Sequence, residues 1–95
     1  LEAAMNPSAV MYPDVWVSMG KEEESNSRLE MFKGYQINTP LMAKANPDAL
    51  LMHCLPAYRG KEVSEEALEE HSTTIFDQAE NRLHAQKAIM SWLVE

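Results

Sequence analysis

The chain has 95 residues, a formal net charge of −7, 24% charged residues and one cysteine. That length holds a single small domain with a modest core, and the acidic balance without a Lys/Arg cluster argues against nucleic acid and anionic membranes as partners. One Cys cannot close an intramolecular disulfide, which favours a reducing, cytoplasmic setting, and no apolar run approaches the roughly 20 residues of a membrane span.

The opening Leu1-Glu2-Ala3-Ala4 lacks an initiator Met, as a fragment would. Leu1 to Met5 reads as the tail of a helix stopped by Asn6-Pro7. Val10-Met11-Tyr12 reads as a strand limited by Pro13, followed by an extended segment, Asp14 to Val17, and a turn at Ser18-Met19-Gly20. Lys21 to Ser27, with Glu22-Glu23-Glu24 in series, is a solvated loop or a first helical turn. Ser25 or Ser27 is placed to cap a short helix through Phe32, with Gly34 at its C′ position. Tyr35 to Ile37 is a possible short strand, and Thr39-Pro40 supplies an N-cap and a Pro at N1 for a helix over Leu41 to Ala45.

Asn46-Pro47-Asp48 is a turn before Ala49 to Met52, an apolar run of the kind buried on both faces of a parallel sheet. Pro56 ends that strand, so His53 and Cys54 stand at its C-terminal end, pointing to opposite faces. Ligands of open α/β sheets bind at that edge. An exposed, reactive thiol there can be a nucleophile, a base or a positioning group; the plain alternative is a buried Cys packed as a small apolar residue. Ser64 is placed to cap a helix over Glu65 to Glu70, and Thr73 to Phe76, β-branched and aromatic, reads as a strand. Asp77 then caps the last helix, with Glu80 completing a capping box. Ala85, Ala88, Ile89, Trp92 and Leu93 form its apolar stripe, with Arg82 on the same face. An Arg there needs an anion or carbonyl partner, or snorkels to a carboxylate.

The alternation of strands and helices predicts an α/β fold: a small three-layer sandwich with a mostly parallel sheet of about four strands, half of a doubly wound domain. No CxxC or HxxxH pair supports a metal site, no Gly loop has phosphate-binding spacing, and no G-x-S-x-G elbow occurs. What remains is a set at successive strand ends: Asp14 with Ser18 and Met19, then His53-Cys54-Leu55, then Arg82. Asp14 suits an ammonium, Ser18 and backbone N–H groups suit a carboxylate, and Arg82 suits a polarised oxygen, as a small zwitterionic substrate requires.

Asp14-Val15-Trp16-Val17-Ser18-Met19-Gly20, His53-Cys54-Leu55-Pro56 and Asp77-Gln78-Ala79-Glu80-Asn81-Arg82-Leu83-His84 together resemble the C-terminal signatures of the ornithine carbamoyltransferase family, in the right order and across nearly the whole chain. The related aspartate enzyme lacks the Cys of the Leu-Pro motif, and the putrescine enzyme lacks the Ser-Met-Gly element. The resemblance implies that Asp14 and Ser18 bind the ornithine α-amino group and the Met19 backbone its carboxylate. It places Cys54 against the attacking δ-amine, and the Leu55 carbonyl and Arg82 on the carbamoyl group. The implied catalytic set is Cys54, Asp14 and Arg82; the carbamoyl-phosphate set is Cys54, Leu55 and Arg82. The Ser18 to Gly20 loop would be a closing lid.

Tyr58 departs from the His usual after Leu-Pro-Ala, and Pro13 from the usual strand residue. The family's Ser-Thr-Arg-Thr-Arg loop and His-Pro-x-Gln motif are not present in residues 1–95. The chain is therefore expected to be part of the ornithine-binding domain, without the carbamoyl-phosphate domain and inactive alone. The resemblance implies L-ornithine as ligand, carbamoyl phosphate only with the missing domain, no metal or cofactor, a cytoplasmic location and a homo-oligomer. The alternative is a non-catalytic amino-acid-binding or oligomerising module.

Overall fold

The computed structural model describes the backbone of residues 1–95 and every side chain except that of Glu22, so that part of the acidic run lies outside the described residues. The helices are α1 (Glu2–Met5), α2 (Ser25–Met31), α3 (Thr39–Met42), α4 (Glu65–Glu70) and α5 (Ser72–Val94), and the strands are β1 (Val10–Met11) and β2 (Leu50–Leu51). The strands pair in parallel with Val10 opposite Leu50 and Met11 opposite Leu51. Two parallel β-bridges, Ile37 with Val63 and Arg59 with Val63, extend the ordered backbone. The α/β class is as expected, but the described residues form two strands rather than four.

The differences have local causes. Thr73 to Phe76 is helical, because Ile75 continues the buried face of Ala67 and Leu68 at helical spacing and has no exposed surface. A segment without a strand partner satisfies its backbone by winding on itself, which overrides β-propensity. Only His71 separates α4 from α5. Asp77 is consequently interior to α5 rather than its cap, and Glu80 faces His84 at 3.5 Å instead of closing a capping box.

Tyr35 to Ile37 contributes a bridge at Ile37 only, and β2 is buried on one face, with Leu51 enclosed and Leu50 exposed. Caps shift by one residue. Asn38 Oδ1, not Thr39, accepts from the Leu41 N–H at 2.9 Å to start α3. A 3-10 turn over Glu22–Glu24 runs into α2 with Ser25 already helical and no side-chain cap. Ser64 caps α4 as read, its Oγ accepting from the Ala67 N–H at 3.2 Å.

The core gathers Met5, Met11, Ile37, Leu41, Leu51, Val63, Ala67, Leu68 and Ile75 beneath the two strands. α5 leaves that core after Ile75. From Asn81 onward every residue is exposed, so the stripe of Ile89, Trp92 and Leu93 is uncovered and Arg82 lies on an open face, not a buried one. The radius of gyration, 15.5 Å, exceeds the about 12 Å of a compact domain this long, as a projecting helix requires.

Candidate functional site

β1 and β2 run in parallel, so the residues that follow them emerge at one edge. Asp14 follows β1 past Pro13, and Cys54 follows β2. The Cys54 thiol donates to Asp14 Oδ1 at 3.3 Å, joining two residues forty positions apart in the chain. The same Oδ1 accepts from the Val15 N–H at 2.7 Å. Arg82 arrives from the third turn of α5, on its exposed face, where its Nη1 donates to the Cys54 carbonyl at 3.1 Å. The carbonyl partner read from the sequence is thus found, although the side chain stays exposed.

Burial is the first cause that pushes the Cys54 thiol up, followed by its hydrogen bond to Asp14 and the charge of that carboxylate; the Arg82 guanidinium pulls weakly the other way. Cys54 is half-buried rather than openly exposed as expected. An upward shift from an already alkaline value leaves the thiol carrying the proton that it donates to Asp14.

Leu55 takes φ +54° and its peptide bond to Pro56 is cis. Its N–H donates to His53 Nδ1 at 2.8 Å. His53 Nε2 lies 2.8 Å from Glu62 Oε1, which also accepts from the Tyr58 N–H at 2.9 Å. Sequence reasoning missed Glu62. A lone Glu after a Gly-Lys turn carries no motif; the available signal was a His at a strand end needing an acceptor.

Ser18 and Met19 stand apart from the Asp14–Cys54–Arg82 group. They line a small hollow of about 100 Å³ with Trp16, Ser25, Tyr58 and Lys61, and the Lys61 amine lies 5.1 Å from the centre of the Tyr58 ring. A larger, mostly apolar cavity of about 440 Å³ has Asp14 in its wall with Met11, Tyr12, Trp16, Phe32 and Glu62. Trp16 borders both and stacks on Phe32 at 5.9 Å, which fixes the segment between Asp14 and the Ser18 turn. Among the described residues no group of three His, Cys, Asp or Glu side chains could hold a metal ion, and no helix is long and apolar enough to cross a membrane.

Residues 1–93 match the family described as aspartate/ornithine carbamoyltransferase, Asp/Orn binding domain. The chain is 58% identical over 92 residues to an ornithine carbamoyltransferase of Nitratiruptor sp., covering 97% of this chain and 30% of that protein. Its fold is similar to the anabolic ornithine carbamoyltransferase of Campylobacter jejuni, with a TM-score of 0.92 at 47% identity over 97% of this chain and 30% of that one. It is also similar to the ornithine carbamoyltransferase of Pyrococcus furiosus, with a TM-score of 0.83 at 46% identity over 95% of this chain and 29% of that one. The chain thus spans about 30% of the length of the relatives it matches.

Proposed function

The chain belongs to the aspartate/ornithine carbamoyltransferase family, as its Asp/Orn binding domain, and on that premise we propose that it is the C-terminal part of the ornithine-binding domain of an ornithine carbamoyltransferase. The observation that carries the reading is the meeting of Asp14, Cys54 and Arg82 at one strand edge, with the thiol on the carboxylate and the guanidinium on the Cys54 carbonyl.

In the reaction, the δ-amine of L-ornithine attacks the carbamoyl carbon of carbamoyl phosphate. A C–N bond forms, the C–O bond to phosphate breaks, and the attacking nitrogen gives up a proton, yielding citrulline and phosphate. Cys54 keeps its proton and lies against the amine. Asp14, the acceptor of the pair, is the residue able to take a proton there. Arg82 and the Leu55 carbonyl hold the carbamoyl group, the guanidinium stabilising charge on its oxygen. Asp14, Ser18 and the Met19 backbone hold the amino-acid end. Since Ser18 and Met19 line the neighbouring hollow, the Ser18 to Gly20 turn moves toward Asp14 when ornithine binds, as a lid does.

Carbamoyl phosphate is held jointly with a phosphate-binding domain outside these residues. The protein works in the cytoplasm as a homo-oligomer, which the uncovered stripe of Ile89, Trp92 and Leu93 supports. Neither nucleic acid nor membrane is a partner. The test is citrulline formation from ornithine and carbamoyl phosphate. The full-length protein carrying this chain is expected to be active, and residues 1–95 alone are expected to be silent for want of the phosphate loop. Ornithine binding by calorimetry without citrulline from the full-length protein would overturn the enzyme reading in favour of a binding module.

A further inference from the structure

One carboxylate oxygen ties together the turn that carries the transfer site. Glu62 Oε1 accepts from the Tyr58 N–H at 2.9 Å and lies 2.8 Å from His53 Nε2. His53 Nδ1 accepts the Leu55 N–H at 2.8 Å, so it bears no hydrogen and the ring donates from Nε2. Glu62 therefore grips the chain on both sides of Leu55-Pro56. His53 and Glu62 are each 1% exposed.

Two features make this more than packing. Leu55 has φ +54°, an uncommon conformation for a non-glycine residue, which persists where the surroundings hold it. Glu62 Oε2 is buried with no partner among the described residues. A carboxylate buried with half its acceptor capacity unused is a poor stabilising choice for a core position. Its position is explained by what Oε1 holds.

We propose that Glu62 and His53 are positioning residues of the transfer site: through the Leu55 and Tyr58 N–H groups they set where the Leu55 carbonyl and the Cys54 thiol stand. This rests on the reading that those two groups meet the carbamoyl group and the amine. The pair's contacts are with the backbone of the turn, at the Leu55 and Tyr58 N–H groups, so it acts through the geometry of that turn.

The experiment compares Glu62→Ala and Glu62→Gln in the full-length protein, with activity expressed per folded molecule. Misplacing reacting groups by about 1 Å costs up to about 10²-fold, so Glu62→Ala should lower kcat about 10- to 100-fold with the ornithine KM within about threefold. Glu62→Gln, which keeps an acceptor oxygen, should restore kcat to within about threefold of the parent. Wild-type kcat in folded Glu62→Ala overturns the proposal. Should that variant fail to fold, nitrogen NMR of the parent decides: hydrogen on His53 Nε2 is expected, and hydrogen on Nδ1 overturns the network. Should the full-length parent make no citrulline, the activity reading fails separately, and alkylation of Cys54 still tests the positioning. Glu62→Ala should speed it at least about fivefold by loosening the turn, with Glu62→Gln unchanged; equal rates in all three overturn the proposal.

Discussion

His53 and Cys54 are neighbours in the chain with opposite fates. His53 is enclosed, with both ring nitrogens engaged by Glu62 and the Leu55 N–H. Cys54 is half-buried, and its partners Asp14 and Arg82 are exposed side chains. One step along the chain thus separates an enclosed imidazole from a half-buried thiol beside exposed charged groups. On the roles proposed above, the closed side sets position and the open side carries the chemistry.

The contrast is broken most severely from the open side by Arg82→Ala. With Arg82 on the carbamoyl oxygen as proposed, its removal should lower carbamoyl transfer by the full-length protein by about 10²- to 10³-fold, the cost of losing a donor to a reacting oxygen. An exposed hydrogen bond contributes about 1 kcal/mol or less, so the denaturant midpoint should barely move. A midpoint that fell as far as the rate would make Arg82 structural. From the closed side, Glu62→Leu strands the His53 Nε2–H and the Tyr58 N–H without an acceptor. About 3 kcal/mol of stability should be lost, read as a lower denaturant midpoint at constant slope. A neutral result would mean that both donors find other partners.

A finer measurement concerns the Cys54 proton. Burial and Asp14 both disfavour the thiolate, so iodoacetamide labelling should be slow at neutral pH and should rise at higher pH than for an ordinary thiol. Asp14→Asn removes the negative charge and should move that rise downward. The shift is partial, because burial, the larger cause, remains. An unchanged profile would mean that the carboxylate does not govern the thiol. The smallest effect belongs to Trp92→Ser on the projecting part of α5. This side chain is 75% exposed, so stability of the monomer should stay within about 0.5 kcal/mol. Light scattering should show weaker self-association; unchanged association would mean that the stripe is not the contact between copies.

What was legible in the sequence follows the same division. Pro56 and the Ala49 to Met52 run located the strand end, and Ser64 announced α4, because both signals are local. The three site motifs were legible as a resemblance, and Asp14, Cys54 and Arg82 do converge. Thr73 to Phe76 misled because its β-branched composition speaks for a strand only where a partner strand exists, and Ile75 instead finds the core from a helix. The α5 stripe carried helical periodicity and still lies uncovered, since periodicity defines a face and not its neighbour. Glu62 was illegible because its importance comes from His53, nine residues earlier, across a turn whose shape no single residue announces.

The pairing of Val10 with Leu50 also orders events in time. Residues forty positions apart must meet before the first rung forms, and the chain entropy of closing so long a loop is lost before any strand contact offsets it. The α4–α5 unit faces no such delay, since its hydrogen bonds are local. Folding is therefore expected to begin with helices and end with the sheet. The Asp14–Cys54 contact, built on that sheet, should then be among the last to form, and protection of the Cys54 thiol against labelling during refolding should lag behind the gain of helix; protection that rises together with the helix signal would refute this order.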